Sequence, residues 1–198
     1  MRGLVMRRML IAVVGDTHMR SGSVKQKLAS ALGERLSDEG YLILTGGLGD
    51  LPKALAEGAR RSVNYREGSL IALLPGFDPK AAGGNVDVPI ATGLDQARNL
   101  LVANSDAVIA IGGGAGTLSE VAFAWSLKRL ILAYRVDGWS AKLAGTRIDQ
   151  RVRYPNLPDD QVYPVDNTDE VIRYLAELLP KYRRRHTRIV VRKEESYG

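Results

Sequence analysis

A chain of 198 residues, 45% apolar and 25% charged, is long enough to bury one sizeable core and has the composition of a globular domain. It has no cysteine and only two histidines, His18 and His186. That excludes disulfides, thiolate metal sites and cysteine nucleophiles and leaves little for a histidine-rich centre, so no metal site is expected. The net charge of +6 lies at the ends: Arg2, Arg7 and Arg8 in residues 1–8, and seven basic against two acidic side chains in residues 181–195.

The body between those ends is slightly acidic, which argues against a nucleic-acid reader. The expected organisation is a basic extension (1–8), a single domain (9–180) and a basic tail (181–198). No apolar run approaches the ~20 residues of a membrane span. Arg7-Arg8 ahead of Met9–Val14 imitates a signal peptide, but the run stops after six residues at Gly15-Asp16, without a small-residue cleavage site. A cytoplasmic protein is expected.

In chain order, Met9–Val14 predicts a buried strand that ends in Gly15-Asp16-Thr17-His18. Ser23 and Gln26 form a capping-box pattern, and Val24, Leu28, Leu32 and Leu36 make an apolar stripe, so 24–38 reads as an amphipathic helix closed by Gly40. Tyr41–Thr45 is a second strand running into Gly46-Gly47-Leu48-Gly49-Asp50, with Pro52 opening a helix over about 52–63. Ser69–Leu74 is a third strand, Pro75–Asn85 a long loop of the kind that covers a site, and Val86–Ala91 a short strand.

Leu94–Asn104 predicts a helix carrying Arg98, its apolar residues Leu94, Leu100 and Leu101 facing the sheet. Ala107–Ile111 is a strand buried on both faces, followed by Gly112–Gly116 and a helix to about Lys128; Leu130–Tyr134 is another buried strand. Residues 135–164 look irregular. Asn167 with Glu170 opens a last helix that Pro180 ends, and Ile189–Val191 suits an edge strand or a docking segment. Strands alternating with helices, and strands that are apolar almost throughout, predict an α/β fold: a doubly wound, mostly parallel sheet covered on both faces, Rossmann-like. Its ligand crevice would lie at the carboxyl ends of the strands, where loops 15–23, 46–52 and 112–117 converge.

A strand that ends in glycines and feeds a helix suits an anion, because backbone N–H groups can approach it and the helix start adds unpaired donors. Gly113, Gly114, Gly116 and Thr117 are therefore candidate phosphate ligands, with Gly15, Asp16, Gly46 and Gly47 from the other two loops. Asp16 would bind ligand hydroxyls or cap the following turn. Thr117 and Glu120 either form a capping box or, as the second glycine loop and Arg98 favour, belong to a site in which Glu120 aims a carboxylate at the ligand. Arg98 otherwise reads as a surface charge paired with Asp95, and Trp125 and Trp139 as packing or subunit-interface residues. Neither loop fits the dinucleotide fingerprint, since Ser119 stands where a third glycine belongs, and no Walker A pattern occurs.

Ala97-Arg98-Asn99, Asp106–Ile109 and Gly113-Gly114-Ala115-Gly116-Thr117-Leu118-Ser119-Glu120, together with Thr45–Gly49 and Gly58-Ala59, resemble the LOG superfamily, over about residues 10–135. The A-R-N and G-G-G forms are closest to its molybdenum-cofactor carrier branch. Members were once labelled lysine decarboxylases, but no pyridoxal-phosphate site is visible. The resemblance implies a homo-oligomer, dimer or tetramer, that takes a small phosphorylated ligand on the Gly-Thr loop: a nucleoside monophosphate or molybdenum cofactor as carried ligand.

In the hydrolase members an Arg and a Glu matching Arg98 and Glu120 are catalytic, cleaving nucleoside 5′-monophosphates to base and ribose 5-phosphate. This chain departs from them at Gly112, where they have Pro, and at Arg98-Asn99, where they have Arg-Lys. A ligand-binding, carrier-like protein is therefore expected, with the phosphoribohydrolase as the alternative.

Overall fold

The computed structural model describes residues 7–183. Seven strands, β1 (Leu10–Gly15), β2 (Leu42–Thr45), β3 (Leu70–Leu74), β4 (Val88–Ala91), β5 (Ala107–Ile111), β6 (Leu130–Tyr134) and β7 (Tyr163–Val165), form one sheet. Its order is β4-β3-β2-β1-β5-β6-β7, and every neighbouring pair is parallel. The helices are α1 (Val24–Asp38), α2 (Asp50–Ala59), α3 (Asn99–Ala103), α4 (Ala115–Ser126), α5 (Trp139–Leu143) and α6 (Thr168–Leu178). The expected doubly wound α/β architecture is what the chain adopts.

Side chains alternate faces along a strand, so a strand covered by helices on both sides must be apolar throughout. In β1, Ile11 and Val13 enter the core layer that includes Leu32, Leu55 and Leu175 of α1, α2 and α6. Ala12 and Val14 enter the opposite layer, with Val102 of α3 and Val121 and Trp125 of α4. β5 divides the same way, Ile109 and Ile111 to the first layer and Val108 and Ala110 to the second. Gly15 pairs with Ile111 across β1 and β5, so these strands end level and Asp16 arrives beside Gly112. The strand order reverses between them, which is where an open parallel sheet leaves its crevice.

Helix α1 spans the predicted residues and is capped as expected: Ser23 Oγ accepts from the Gln26 N–H at 3.3 Å, while Gln26 Oε1 accepts from the Gly22 N–H at 2.6 Å. Asn167 likewise caps α6, its Oδ1 accepting from the Glu170 N–H at 3.0 Å. The other differences have local causes. The predicted 94–104 helix is a 3-10 turn over Asp95–Arg98 followed by the short α3, because Asp95 starts it with φ at +47° and its N–H donates to Pro75 O. Leu94 and Leu101 are exposed, and Asn99, Val102 and Ala103 are buried instead.

Residues 135–164 are not irregular throughout: they hold α5 and lead into β7. They also carry a buried knot, in which Arg153 pairs with Asp160, lies 3.6 Å above the Trp125 ring, and sees Tyr182 donate to the same carboxylate. Trp125 is a packing residue, as expected, its Nε1 donating to Asp149 at 3.0 Å. The packed core reaches Tyr182, whose ring sits 4.7 Å from that of Tyr154. The Ile189–Val191 segment lies outside the described residues. Among the described residues no helix is long and apolar enough to cross a membrane.

Candidate functional site

β5 breaks at Gly112 and Gly113, with φ of +66° and +94°, a region costly for any residue with a Cβ. Space is closed as well: a Cβ on Gly113 would lie 2.2 Å from Thr117 Oγ1, and one on Gly112 2.4 Å from Asp16 Oδ2. The loop is tied from both sides. The Gly112 N–H donates to Ser140 Oγ at 2.8 Å and the Gly113 N–H to Asp16 Oδ1 at 2.9 Å. Their carbonyls accept from the Ser140 and Trp139 N–H groups, both at 2.9 Å. The inner donors of the loop are thus satisfied within the protein.

The outward donors lie one step later. Helix α4 has Gly114 as its N-cap, with no side-chain cap, and Gly114, Ala115 and Gly116 are exposed. The first N–H groups of a helix have no partner inside it and carry its positive end. The capping box between Thr117 and Glu120 does not form, because the cap position falls three residues before Thr117. The Thr117 hydroxyl instead makes a long 3.4 Å hydrogen bond to Gly15 O, and Glu120 turns to Arg98.

Beside α4 is a cleft of about 310 Å³ between the ends of β1, β2 and β3 and the helices α3 and α4. Of the predicted residues, Gly15, Asp16, Gly46, Arg98, Gly116, Thr117 and Glu120 line it. Gly113 and Gly114 form the loop behind it, and Gly47 packs away from it, where a Cβ would strike Leu74 and Ala72.

The side chain of Glu120 is 8% exposed and that of Arg98 16%, with Nη1 and Oε1 3.4 Å apart. Burial pushes the Glu120 carboxyl up to about 7, and Arg98 pulls it back only in part. Burial likewise lowers the Arg98 guanidinium against the opposing pull of Glu120 and Asp95. At 3.4 Å the pair is open compared with the ~2.7–2.9 Å of a closed charge-assisted bond, and Arg98 Nε is buried without a partner. Gly46 makes the arrangement possible: the guanidinium lies against it, and a Cβ there would come within 2.6 Å of Nη1. Arg98 is therefore paired with Glu120 rather than standing as a surface charge on Asp95.

Asp16 neither faces a ligand freely nor caps its own turn. One oxygen holds the Gly113 N–H and the other takes Lys25 Nζ, so it clamps the glycine loop to α1. Asp50 staples the first two loops, donating its N–H to Thr17 O at 2.8 Å and accepting the Met19 N–H on Oδ2 at 2.8 Å.

Two supporting residues, Lys25 and Ser140, escaped the sequence, and Asn99, read there only as part of the A-R-N motif, gains a structural role. Lys25 gives no local signal, being nine positions from Asp16. Asn99 ties α3 to α4 by donating to Ser119 Oγ at 2.8 Å. Ser140 follows β6 and Gly138, so a third strand that turns on a glycine was the available clue. Chemically, the site pairs an outward set of backbone donors with a neighbouring carboxylate of variable protonation and a guanidinium. Among the described residues no cluster of His, Cys, Asp or Glu could hold a metal ion.

Similar proteins have been solved. The molybdenum cofactor binding protein of Rippkaea orientalis superposes with a TM-score of 0.68 at 30% identity, over 86% of this chain and 97% of that one. The Moco carrier protein of Chlamydomonas reinhardtii gives a TM-score of 0.68 at 28% identity, over 88% of this chain and 99% of that one. An uncharacterized protein of Archaeoglobus fulgidus is 34% identical over 120 residues, 60% of this chain and 75% of that protein. The likeness to the LOG and molybdenum-cofactor-carrier superfamily is borne out. The family model of SLOG cluster4 matches residues 8–170, and the chain belongs to the SLOG cluster4 family.

Proposed function

We propose that this protein binds a small phosphorylated, nucleotide-like ligand and holds it without turnover, as a carrier does. The carrying observation is the glycine loop. Its inner N–H groups are held by Asp16 and Ser140, and the uncapped start of α4 opens beside the buried Arg98–Glu120 pair. The phosphate sits on the N–H groups of Gly114, Ala115, Gly116 and Thr117, and the rest of the ligand enters the cleft. The molybdenum-cofactor proteins of similar fold support a pterin phosphate as cargo, and a nucleoside monophosphate has the same outline. These residues fit the phosphate and the ring of such a ligand; a metal it carries must bring its own ligands, because the cleft supplies no ligand set.

Native mass spectrometry of the purified protein tests this assignment. The expected result is a co-purifying phosphomonoester recovered intact, whose readdition raises the melting temperature. A protein that carries none, and whose melting temperature no nucleoside monophosphate or pterin phosphate raises, would overturn it.

One observation favours hydrolysis as the alternative reading. A carboxyl held at about 7, beside a guanidinium, can orient water and stabilise a cationic sugar as the N-glycosidic bond breaks. Water would add to the ribose C1′ and the base would leave with the proton. Base release from a nucleoside monophosphate, lost in Glu120→Gln, would establish it; no release from a panel of monophosphates would remove it.

A further inference from the structure

We infer that the Arg98–Glu120 pair reads the 2-amino-4-oxo edge shared by guanine and pterin rings, Glu120 accepting from the exocyclic amino group and the adjacent ring N–H while Arg98 donates to the neighbouring carbonyl. This rests on the binding function proposed above and names the ring class that the site selects.

Hydrogen-bond complementarity carries the inference. The 2-amino-4-oxo edge presents two donors and then an acceptor in a row. A carboxylate beside a guanidinium presents two acceptors and then a donor. Both side chains line the cleft, and at 3.4 Å between their nearest atoms they stand farther apart than a closed charge-assisted pair, so neither saturates the other. Adenine presents a donor beside the bare acceptor N1, which an ionised carboxylate repels. Only the protonated form of Glu120 could serve it, and burial holds that carboxyl at about 7, so at pH 8 the edge that fits is the donor–donor one.

Charge and shape agree. Arg98 is the cation on the cleft wall and already faces the Glu120 carboxylate, while Asp16 is held by Lys25. A second anionic group is disfavoured there, whereas a neutral ring rich in N–H donors is not. Val14, Leu51, Pro52 and Pro75 give that ring apolar walls. A volume of about 310 Å³ is near the bottom of the usual range for ligand pockets, ~300–1,000 Å³. It holds one bicyclic ring and part of its substituent, with the phosphate outside on α4.

The test is calorimetric titration at pH 8 of the whole protein, and of Glu120→Gln, with GMP, IMP, AMP and the monophosphate of 6-hydroxymethylpterin. The expected result is that GMP, the pterin phosphate or both bind about tenfold or more tighter than AMP, the scale of discrimination by one bidentate contact. IMP, lacking the amino group, falls between. Glu120→Gln, nearly isosteric and without a carboxylate, brings GMP and AMP level. Which of the two favoured ligands binds tighter identifies a guanine nucleotide or a pterin as the source of the edge.

Equal affinity for AMP and for both 2-amino-4-oxo ligands would overturn the inference and leave the binding function standing. So would a preference that Glu120→Gln retains. No binding of any of the four would overturn both.

Discussion

The residue on which most depends is Glu120. Its carboxyl is pushed up to about 7 by burial from the ~4.3 of an exposed glutamate. Between those values the folded protein holds a proton that the unfolded chain has released. Stability from this group is full below about pH 4.5 and is lost as pH rises through 7, on the order of 3 kcal/mol in total. Chemical denaturation at pH 5 and pH 8 is expected to show wild type losing stability over that interval. Glu120→Gln should lose clearly less. Equal pH slopes for the two proteins would contradict the assignment.

Gly46 offers a cleaner separation of function from folding. Its φ is not in the left-handed region, so alanine suits the backbone, but the new Cβ must displace the Arg98 guanidinium. Gly46→Ala is expected to shift the melting temperature little and to weaken ligand binding by tenfold or more. A mutant that binds as wild type would show that Arg98 does not act from its present position.

Asp16→Ala should behave differently. Removing the acceptor of the Gly113 N–H and the partner of Lys25 is expected to lower stability by about 1–3 kcal/mol and to loosen the loop, so that melting and binding fall together.

At the scale of elements, long and strongly patterned segments were legible and short tethered ones were not. β5 and β6 announce themselves as five-residue apolar runs, and α1 by an apolar stripe and a side-chain cap. At the start of α4 the sequence left a capping box open beside the favoured site reading, because Thr117 and Glu120 have capping-box spacing while the cap position is fixed by tertiary bonds from Asp16, Ser140 and Trp139 that no local pattern reveals. Helix α5 has five residues and β7 three, too few for periodicity to register.

The same stretch hides the Arg153–Asp160 pair, whose side chains are 3% and 2% exposed. Truncating one member leaves the other charge buried and uncompensated, which typically costs about 3–5 kcal/mol. Asp160→Ala is expected to destabilise the fold by that amount in a urea titration. A loss below 1 kcal/mol would mean that the knot is dispensable.

For the whole molecule, the parallel sheet and its crevice were legible because strand composition, helix alternation and the convergence of three loops all point the same way. What the sequence could not supply was the division of labour inside the crevice. Asp16 is a clamp, Gly47 a packing residue, and Arg98 reaches Glu120 because the 3-10 turn that carries it leads into α3, which packs on α4, a juxtaposition that no linear spacing encodes. Beyond the single chain, Leu94 and Leu101 around α3 and Phe123 on α4 are exposed, and α3 packs against α4. Such apolar exposure on adjoining elements suits a subunit interface. Light scattering after size exclusion is expected to give a dimer or tetramer, with Leu101→Glu and Phe123→Glu together shifting it toward monomer.

In the proposed function a phosphate rests on the start of α4 and stays attached to its ligand. Phosphorus NMR of GMP titrated with the protein at pH 8 tests both halves at once. The monoester resonance is expected to shift and broaden on binding, to return to its free position on denaturation of the protein, and to give no ribose 5-phosphate on standing. A resonance that never moves, or one that is replaced by ribose 5-phosphate, would contradict it.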